Sequence, residues 1–183
     1  MGNIDNLTVL IVLYEESENI IFRTLEQIKN FKIIIIDNKG NQELKKKITT
    51  KYNISIYHLN KKNFGFSKGF NQAIRFCKTD FAFIKNADCF IDEKNIITLL
   101  DYIKKNDDCG IVAPTSYDNF GNLTYNSGNL PENEFSNQAI NLEGNICVEK
   151  VLGASMLART NDLKNIGMFN EELFIYFSDD DLC

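Results

Sequence analysis

Three short apolar runs leave this chain few ways to fold: LTVLIVL (residues 7–13), IIII (33–36) and FAFI (81–84), each rich in β-branched or bulky side chains. Runs this short and this uniformly apolar suit strands covered on both faces, and such strands occur in parallel sheets flanked by helices. The intervening segments carry helical spacing. Ser17 can cap a helix with Ile20, Ile21, Leu25 and Ile28 on one face. Ser67 can cap another with Phe70, Ala73, Ile74 and Cys77 in register, and Asp92 precedes Ile96, Leu100 and Ile103. A further strand is predicted over 54–58, with a short helix over 45–52 before it. The first half therefore reads β-α-β-α-β-α-β-α, and right-handed crossovers make that a layered α/β sandwich.

Beyond Cys109 the pattern changes. Residues 110–113 make a short strand, and turn signals at DNFGN (118–122) and NSGN (126–129) predict hairpins and loops. Residues 148–158 return to strand-like content with a GAS step, and 161–166 form a short helix ended by Gly167. A chain of 183 residues, 44% hydrophobic, is long enough for one substantial core, so a single domain is expected over 1–183. The closing FIYFSDDDLC stops where a helix would continue, which predicts a domain cut short. In GMFNEELFIYF the Met and aromatic residues read as core and pocket lining.

Charge and cysteine usage narrow the function. The net charge is −5, from 20 basic and 25 acidic residues, and no Lys/Arg stripe interleaves with aromatics, so no nucleic-acid partner is expected. No apolar run approaches the roughly 18 residues of a membrane span. The start, MGNIDNLTV, lacks a basic region followed by an apolar segment, so a cytoplasmic location is expected. Five cysteines without a CxxC pair suggest neither a zinc site nor a disulfide framework. His58, the only histidine, has no Ser or Cys motif beside it and reads as structural.

In open parallel sheets, ligands sit beyond the carboxyl ends of the strands, where the strand order reverses. Three predicted strand ends carry polar residues: Tyr14 and Glu15, Asp37 and Asn38, and Asn86 to Asp88. The segment NFGFSKGFN (63–71) leaves the third strand and opens a helix, with Gly65 and Gly69 free of side chains where a ligand could approach closely. It is neither a dinucleotide fingerprint nor a Walker A loop. Without a phosphate-cradling loop, a diphosphate would be neutralised by a divalent cation on oxygen ligands, and Asp88 is the candidate ligand. SDDDL (178–182) reads either as acids in the first turn of a helix or as a carboxylate cluster whose mutual repulsion makes a general base.

Taken in order, VLIVLYEESENI, IIIIDN, NFGFSKGFNQAI, FIKNAD, GASMLART and IGMFNEELFIYFSDDDLC resemble a family 2 glycosyltransferase of the rhamnosyltransferase-like branch. The resemblance implies a GT-A fold: a three-layer α/β/α sandwich on a mostly parallel sheet, with a Rossmann-like nucleotide-sugar-binding half (1–108) and an acceptor-side half (109–183). It implies that Tyr14, Glu15 and Asp37 line the nucleotide-base pocket and that Asn63, Gly65, Gly69 and Asn71 border the nucleotide and sugar. It also implies that Asn86 and Asp88 hold Mg²⁺ or Mn²⁺ against the diphosphate, and that Gly153 and Ala154 lie near donor sugar and acceptor. The family's late Glu-Asp-x-Asp-Leu motif, aligned on Asp181 and Leu182, puts the catalytic base on Asp179; a one-residue slip moves it to Asp180. The family's Glu falls on Ser178.

The expected activity is inverting transfer of a sugar from a nucleoside-diphosphate sugar to a glycan or lipid-linked acceptor, in polysaccharide assembly at the cytoplasmic membrane face. The rival readings are a degenerate or truncated domain that binds nucleotide or a partner without turnover, and a sugar nucleotidyltransferase. The latter usually places a basic Gly-rich loop near its first strand, and nothing basic follows Leu13.

Overall fold

Side chains alternate across a strand, so a strand that is apolar at every position must be covered on both faces. The computed structural model, which describes residues 4–123 and 144–183, shows that arrangement. Its sheet contains β1 (Leu7–Leu13), β2 (Lys32–Asp37), β3 (Ile56–Leu59), β4 (Phe81–Lys85), β5 (Ile111–Val112) and β6 (Ser155–Arg159). The spatial order is β3-β2-β1-β4-β6-β5. The first four strands are parallel, and β6 runs antiparallel to both of its neighbours.

Leu7, Val9, Ile11 and Leu13 of β1 face one helical layer, formed by α1 (Glu18–Ile28), α2 (Gln42–Lys51) and α4 (Glu93–Lys105). Leu10 faces the other way, joining Ile34, Ile36 and Ile84 against α3 (Gly65–Phe76) and α5 (Thr160–Asn165). These are the three layers expected. Each fully buried Leu or Ile contributes roughly 1.5–3 kcal/mol relative to an exposed one, and β1 and β2 are packed almost entirely with such residues.

The chain moves outward from β1 to β2 and β3, then returns through α3 to β4 on the other side of β1. The connections above β1 and β4 therefore diverge, opening a crevice beyond their carboxyl ends. Because β6 is antiparallel to β4, its beginning lies at the same rim.

Several expected boundaries shift. Ser17 does cap α1, accepting from the Ile20 N–H at 3.5 Å, and Asn41 caps α2 by accepting from Leu44 N–H at 3.0 Å. Ser67 is not a cap: α3 begins at Gly65, and Ser67 is buried within it. Asp92 precedes α4 without a side-chain capping bond. Only the latter part of 148–158 is a strand, β6. The turn at 118–122 closes an antiparallel bridge between Tyr117 and Leu123, with Asp118 Oδ1 accepting from the Phe120 and Asn122 N–H groups. The turn expected at 126–129 lies outside the described residues. The five cysteines are all free, and no helix among the described residues is long and apolar enough to cross a membrane.

Candidate functional site

At the end of β1, Tyr14 is exposed and Glu15 adopts a left-handed backbone, φ +65°, unusual for a residue with a side chain. The Glu15 carboxylate pairs with the Lys39 ammonium from the β2–α2 turn, which holds that lysine above its ordinary value. Sequence reasoning passed over the next residue, Glu16. Its carboxylate accepts from the Tyr14 N–H at 2.6 Å. Burial pushes the Glu16 carboxyl up, against hydrogen bonds from its own N–H and that of Tyr14, and the Asp88 and Asp37 charges add to the rise. The acids of two predicted strand ends thus act on the Glu16 charge. The signal available in the sequence was a second acid directly after the strand, in EES.

Asp37, at the end of β2, is buried and its oxygens are occupied. Oδ1 accepts from the Lys39 and Gly40 N–H groups, both at 2.9 Å. Oδ2 accepts from Asn41 N–H at 3.2 Å and from the Tyr57 hydroxyl at 3.0 Å. Burial pushes the Tyr57 phenol well above its usual range, and the Asp37 charge reinforces this. Asp37 thus shapes the β2–α2 turn. Beside it the buried Asn38 donates to the Gly65 carbonyl at 3.1 Å and accepts from Asn60 at 2.8 Å. Asn60 in turn meets Gln72 and His58, so His58 belongs to the scaffold under this rim.

The residues of NFGFSKGFN serve close packing of protein on protein. Asn63 Oδ1 accepts from Gly65 N–H at 2.8 Å, turning the chain into α3. Gly65 has φ +78°, and a Cβ there would lie 2.2 Å from the Phe174 carbonyl oxygen. That oxygen accepts from Phe66 N–H at 2.7 Å. A Cβ on Gly69 would meet Val12 at 2.9 Å. The Asn71 side chain is buried and clasps the backbone of Phe169 at both ends, donating to its carbonyl at 2.8 Å and accepting from its N–H at 3.0 Å. Gly65 and Asn71 thus hold the late segment against α3, and Gly69 lets α3 lie close on β1. Of that segment's apolar residues, Phe169 is core, whereas Phe174, Ile175, Tyr176 and Phe177 are exposed rather than buried lining.

The end of β4 is linked through the start of β6 to the late acidic helix. Asn86 N–H donates to the Ala154 carbonyl at 2.9 Å. The adjacent Gly153 N–H donates to Asp179 Oδ2 at 2.7 Å. Gly153 is tightly packed: a Cβ would lie 3.0 Å from Asp179 Cβ and 3.1 Å from the Phe66 ring. Two hydrogen bonds and one peptide step therefore join the Asn86–Asp88 turn to the carboxylate of α6 (Ser178–Leu182). Asp88 itself is exposed, and no described residue hydrogen-bonds or ion-pairs with its carboxylate.

The three acids of α6 point apart, as successive residues on a helix must. Asp179 meets Gly153, Asp180 pairs with Lys150 at 2.6 Å, and Asp181 borders a cavity of about 420 Å³ beside Met168 and Leu182. That cavity is lined by neither Asp88 nor Asp179. Ser178 is buried and accepts from the Ser67 hydroxyl at 2.7 Å. Phe177 before it is left-handed, φ +64°. Among the described residues, no group of three or more His, Cys, Asp or Glu converges as a metal cage. An exposed, uncommitted Asp88 suits Mg²⁺ or Mn²⁺, which bind through one or two carboxylates with the rest supplied by phosphate and water.

A layered sheet of this order, with its polar residues gathered at the crevice beside β1 and β4, is the architecture of GT-A glycosyltransferases. Solved structures share it. The mannosyltransferase PcManGT from Pyrobaculum calidifontis, in complex with GDP-Man and Mn²⁺, matches with a TM-score of 0.67 at 13% identity, over 96% of this chain and 49% of that one. TarS 1-349 of S. aureus in complex with UDP-GlcNAc matches with a TM-score of 0.68 at 20% identity, over 97% and 52%. The UDP complex of the same TarS segment gives 0.68 at 19% identity, over 97% and 53%. The chain thus spans about half the length of these structures. No curated protein matches it by sequence. The chain belongs to glycosyl transferase family 2, whose model matches residues 8–161. That match includes Asp88 and Gly153 and ends before α6.

Proposed function

We propose that this glycosyltransferase inverts the anomeric carbon as it moves a sugar from a nucleoside-diphosphate sugar to an acceptor hydroxyl, with Asp179 as base and Asp88 at the diphosphate. The observation that carries this reading is the connected path Asn86–Ala154–Gly153–Asp179, which sets the candidate base beside the turn bearing the uncommitted Asp88. The donor class is supported by the GDP-Man complex of PcManGT and the UDP-GlcNAc complex of TarS.

Each residue has a physical task. The Gly153 N–H fixes Asp179 Oδ2 and leaves Oδ1 to take the acceptor proton while the acceptor oxygen attacks in line. A positioned carboxylate base contributes about 10²–10⁴-fold. Asp88 holds Mg²⁺ or Mn²⁺, with Asn86 supporting the turn. When bound, that cation supplies charge neutralisation for the departing diphosphate. Tyr14, Glu15 and Glu16 border the nucleotide at the end of β1, and Asp37, Asn63, Gly65, Gly69 and Asn71 act by shaping that border. Gly153 and Ala154 lie under the donor sugar. Residues 1–108 form the donor half and 109–183 the acceptor side. A rhamnose-type donor, a glycan or lipid-linked acceptor, and work at the cytoplasmic face of a membrane complete the proposal.

Transfer is assayed from a panel of UDP-, GDP- and dTDP-sugars with Mn²⁺, using Asp88→Ala and Asp179→Asn. Both variants should lose about a hundredfold or more in turnover. Unchanged turnover in both rejects the assignment, and nucleotide binding without transfer by the unaltered chain selects the binding-module reading instead.

A further inference from the structure

Among the described residues, Lys85 is the only cationic side chain that is fully buried. It closes the otherwise apolar β4 on the same face as Phe81 and Phe83, which belong to the core beneath α1, and it meets Thr24 of that helix. A Leu or Met would suit those surroundings without the cost of desolvating a charge. The ammonium instead has three specific acceptors. It donates to the Asn86 carbonyl at 3.0 Å, to the Thr24 hydroxyl at 3.2 Å and to the Cys89 carbonyl. Thr24, buried on α1, donates its own hydroxyl hydrogen bond to the Ala87 carbonyl. The carbonyls of residues 86, 87 and 89 are therefore all tied from beneath by one lysine and one threonine, and Asp88 is the exposed residue of the turn they define.

We propose that Lys85 is a positioning residue that, with Thr24, fixes the 86–89 turn so that Asp88 faces a nucleoside diphosphate and its divalent cation. This rests on the reading of Asp88 given above. A turn held by backbone acceptors on a buried cation cannot shift its backbone without stranding that charge, so the Cα of Asp88, and with it the reach of its carboxylate, is placed before any ligand arrives. Residues behind a metal ligand typically change metal affinity about 10–100-fold when removed.

Calorimetric titration of the full chain with UDP, GDP and dTDP, each with Mn²⁺ or with EDTA, tests this in Lys85→Met, Thr24→Val, Asp88→Ala and Lys85→Met/Asp88→Ala. Lys85→Met should weaken the Mn²⁺-dependent part of nucleotide binding about 10–100-fold and leave binding in EDTA unchanged. Thr24→Val should do the same more mildly, and it carries the test if Lys85→Met fails to fold. Amide exchange at 86–90, measured without cation, should quicken in both. In the Asp88→Ala background Lys85→Met should cause no further loss, because both act through one carboxylate. The proposal is overturned if Asp88→Ala weakens binding while Lys85→Met and Thr24→Val do not, or if the losses multiply in the double variant. If the unaltered chain shows no Mn²⁺-dependent binding, or Asp88→Ala leaves it intact, the reading of Asp88 fails first and this proposal with it.

Discussion

Replacing Gly153 by alanine separates packing from chemistry at the centre of the site. The new Cβ would stand 3.0 Å from Asp179 Cβ, 3.1 Å from the Phe66 ring and 3.2 Å from Asp179 Oδ2, where ordinary contact begins at 3.4 Å. Opening the first contact to that limit moves the start of α6 by about 0.4 Å, a distance that ring and helix can share without unfolding. Overpacking by one methyl in a tight site costs about 1–3 kcal/mol. The same displacement reaches the reaction, because the displaced group is the proposed base and its holding N–H belongs to the substituted residue. A 1 Å misplacement can cost about a hundredfold, so a shift of this size should reduce turnover about tenfold. Urea unfolding and sugar transfer are measured on the same preparation, with Gly110→Ala, which has open space around its Cβ, as the reference. Loss of stability with full turnover would refute the coupling of Gly153 to a working Asp179.

Two further outcomes follow from the packing and charge described above. Gly65→Ala adds a left-handed alanine, about 1–2 kcal/mol, to a Cβ 2.2 Å from a backbone carbonyl; a total near 3 kcal/mol should lower the melting temperature by about 6–12 °C in calorimetry, and an unchanged melt would contradict the docking of Phe174 on α3. Glu26 accepts from Lys51, Tyr52 and Lys29, and the Lys51 hydrogen bond leads the effects that hold its carboxyl down at about 2, below the ordinary 4.5. A depressed acid stabilises the fold above its unfolded value and loses that contribution as pH falls through its folded value. The stability gap between the unaltered chain and Glu26→Gln should therefore be present above pH 4.5 and fade toward pH 2, and also shrink in 1 M salt; a gap independent of pH would contradict it.

The strands that carry the fold were legible because their apolar runs need cover on two faces, and that requirement is local to each run. The antiparallel insertion of β6 between β4 and β5 was not legible, since its pairing joins Lys85 to Ser155 across a long sequence separation. The start of α3 was misplaced at Ser67 because a left-handed Gly65 and the Asn63 turn act two and four residues earlier. The acids at the strand ends were found by type, but type does not reveal occupancy: Asp37 is taken up by three backbone N–H groups and a phenol, whereas Asp88 is left uncommitted. Lys85 had a signal that went unread, a cation ending a strand otherwise apolar throughout in FAFIK. Gly65 and Gly69 were legible as sites of close approach, but that parts of the chain itself, Phe174 and Val12, come up against them was not.

The most direct measurement is a crystal structure of the chain soaked in turn with UDP, GDP and dTDP in the presence of Mn²⁺. The account predicts that one of them binds with its diphosphate against Asp88 and its terminal phosphate directed toward the Gly153–Asp179 pair. A nucleotide seated away from the 86–89 turn, or bound with Asp179 on the far side of the protein from its phosphates, would contradict it.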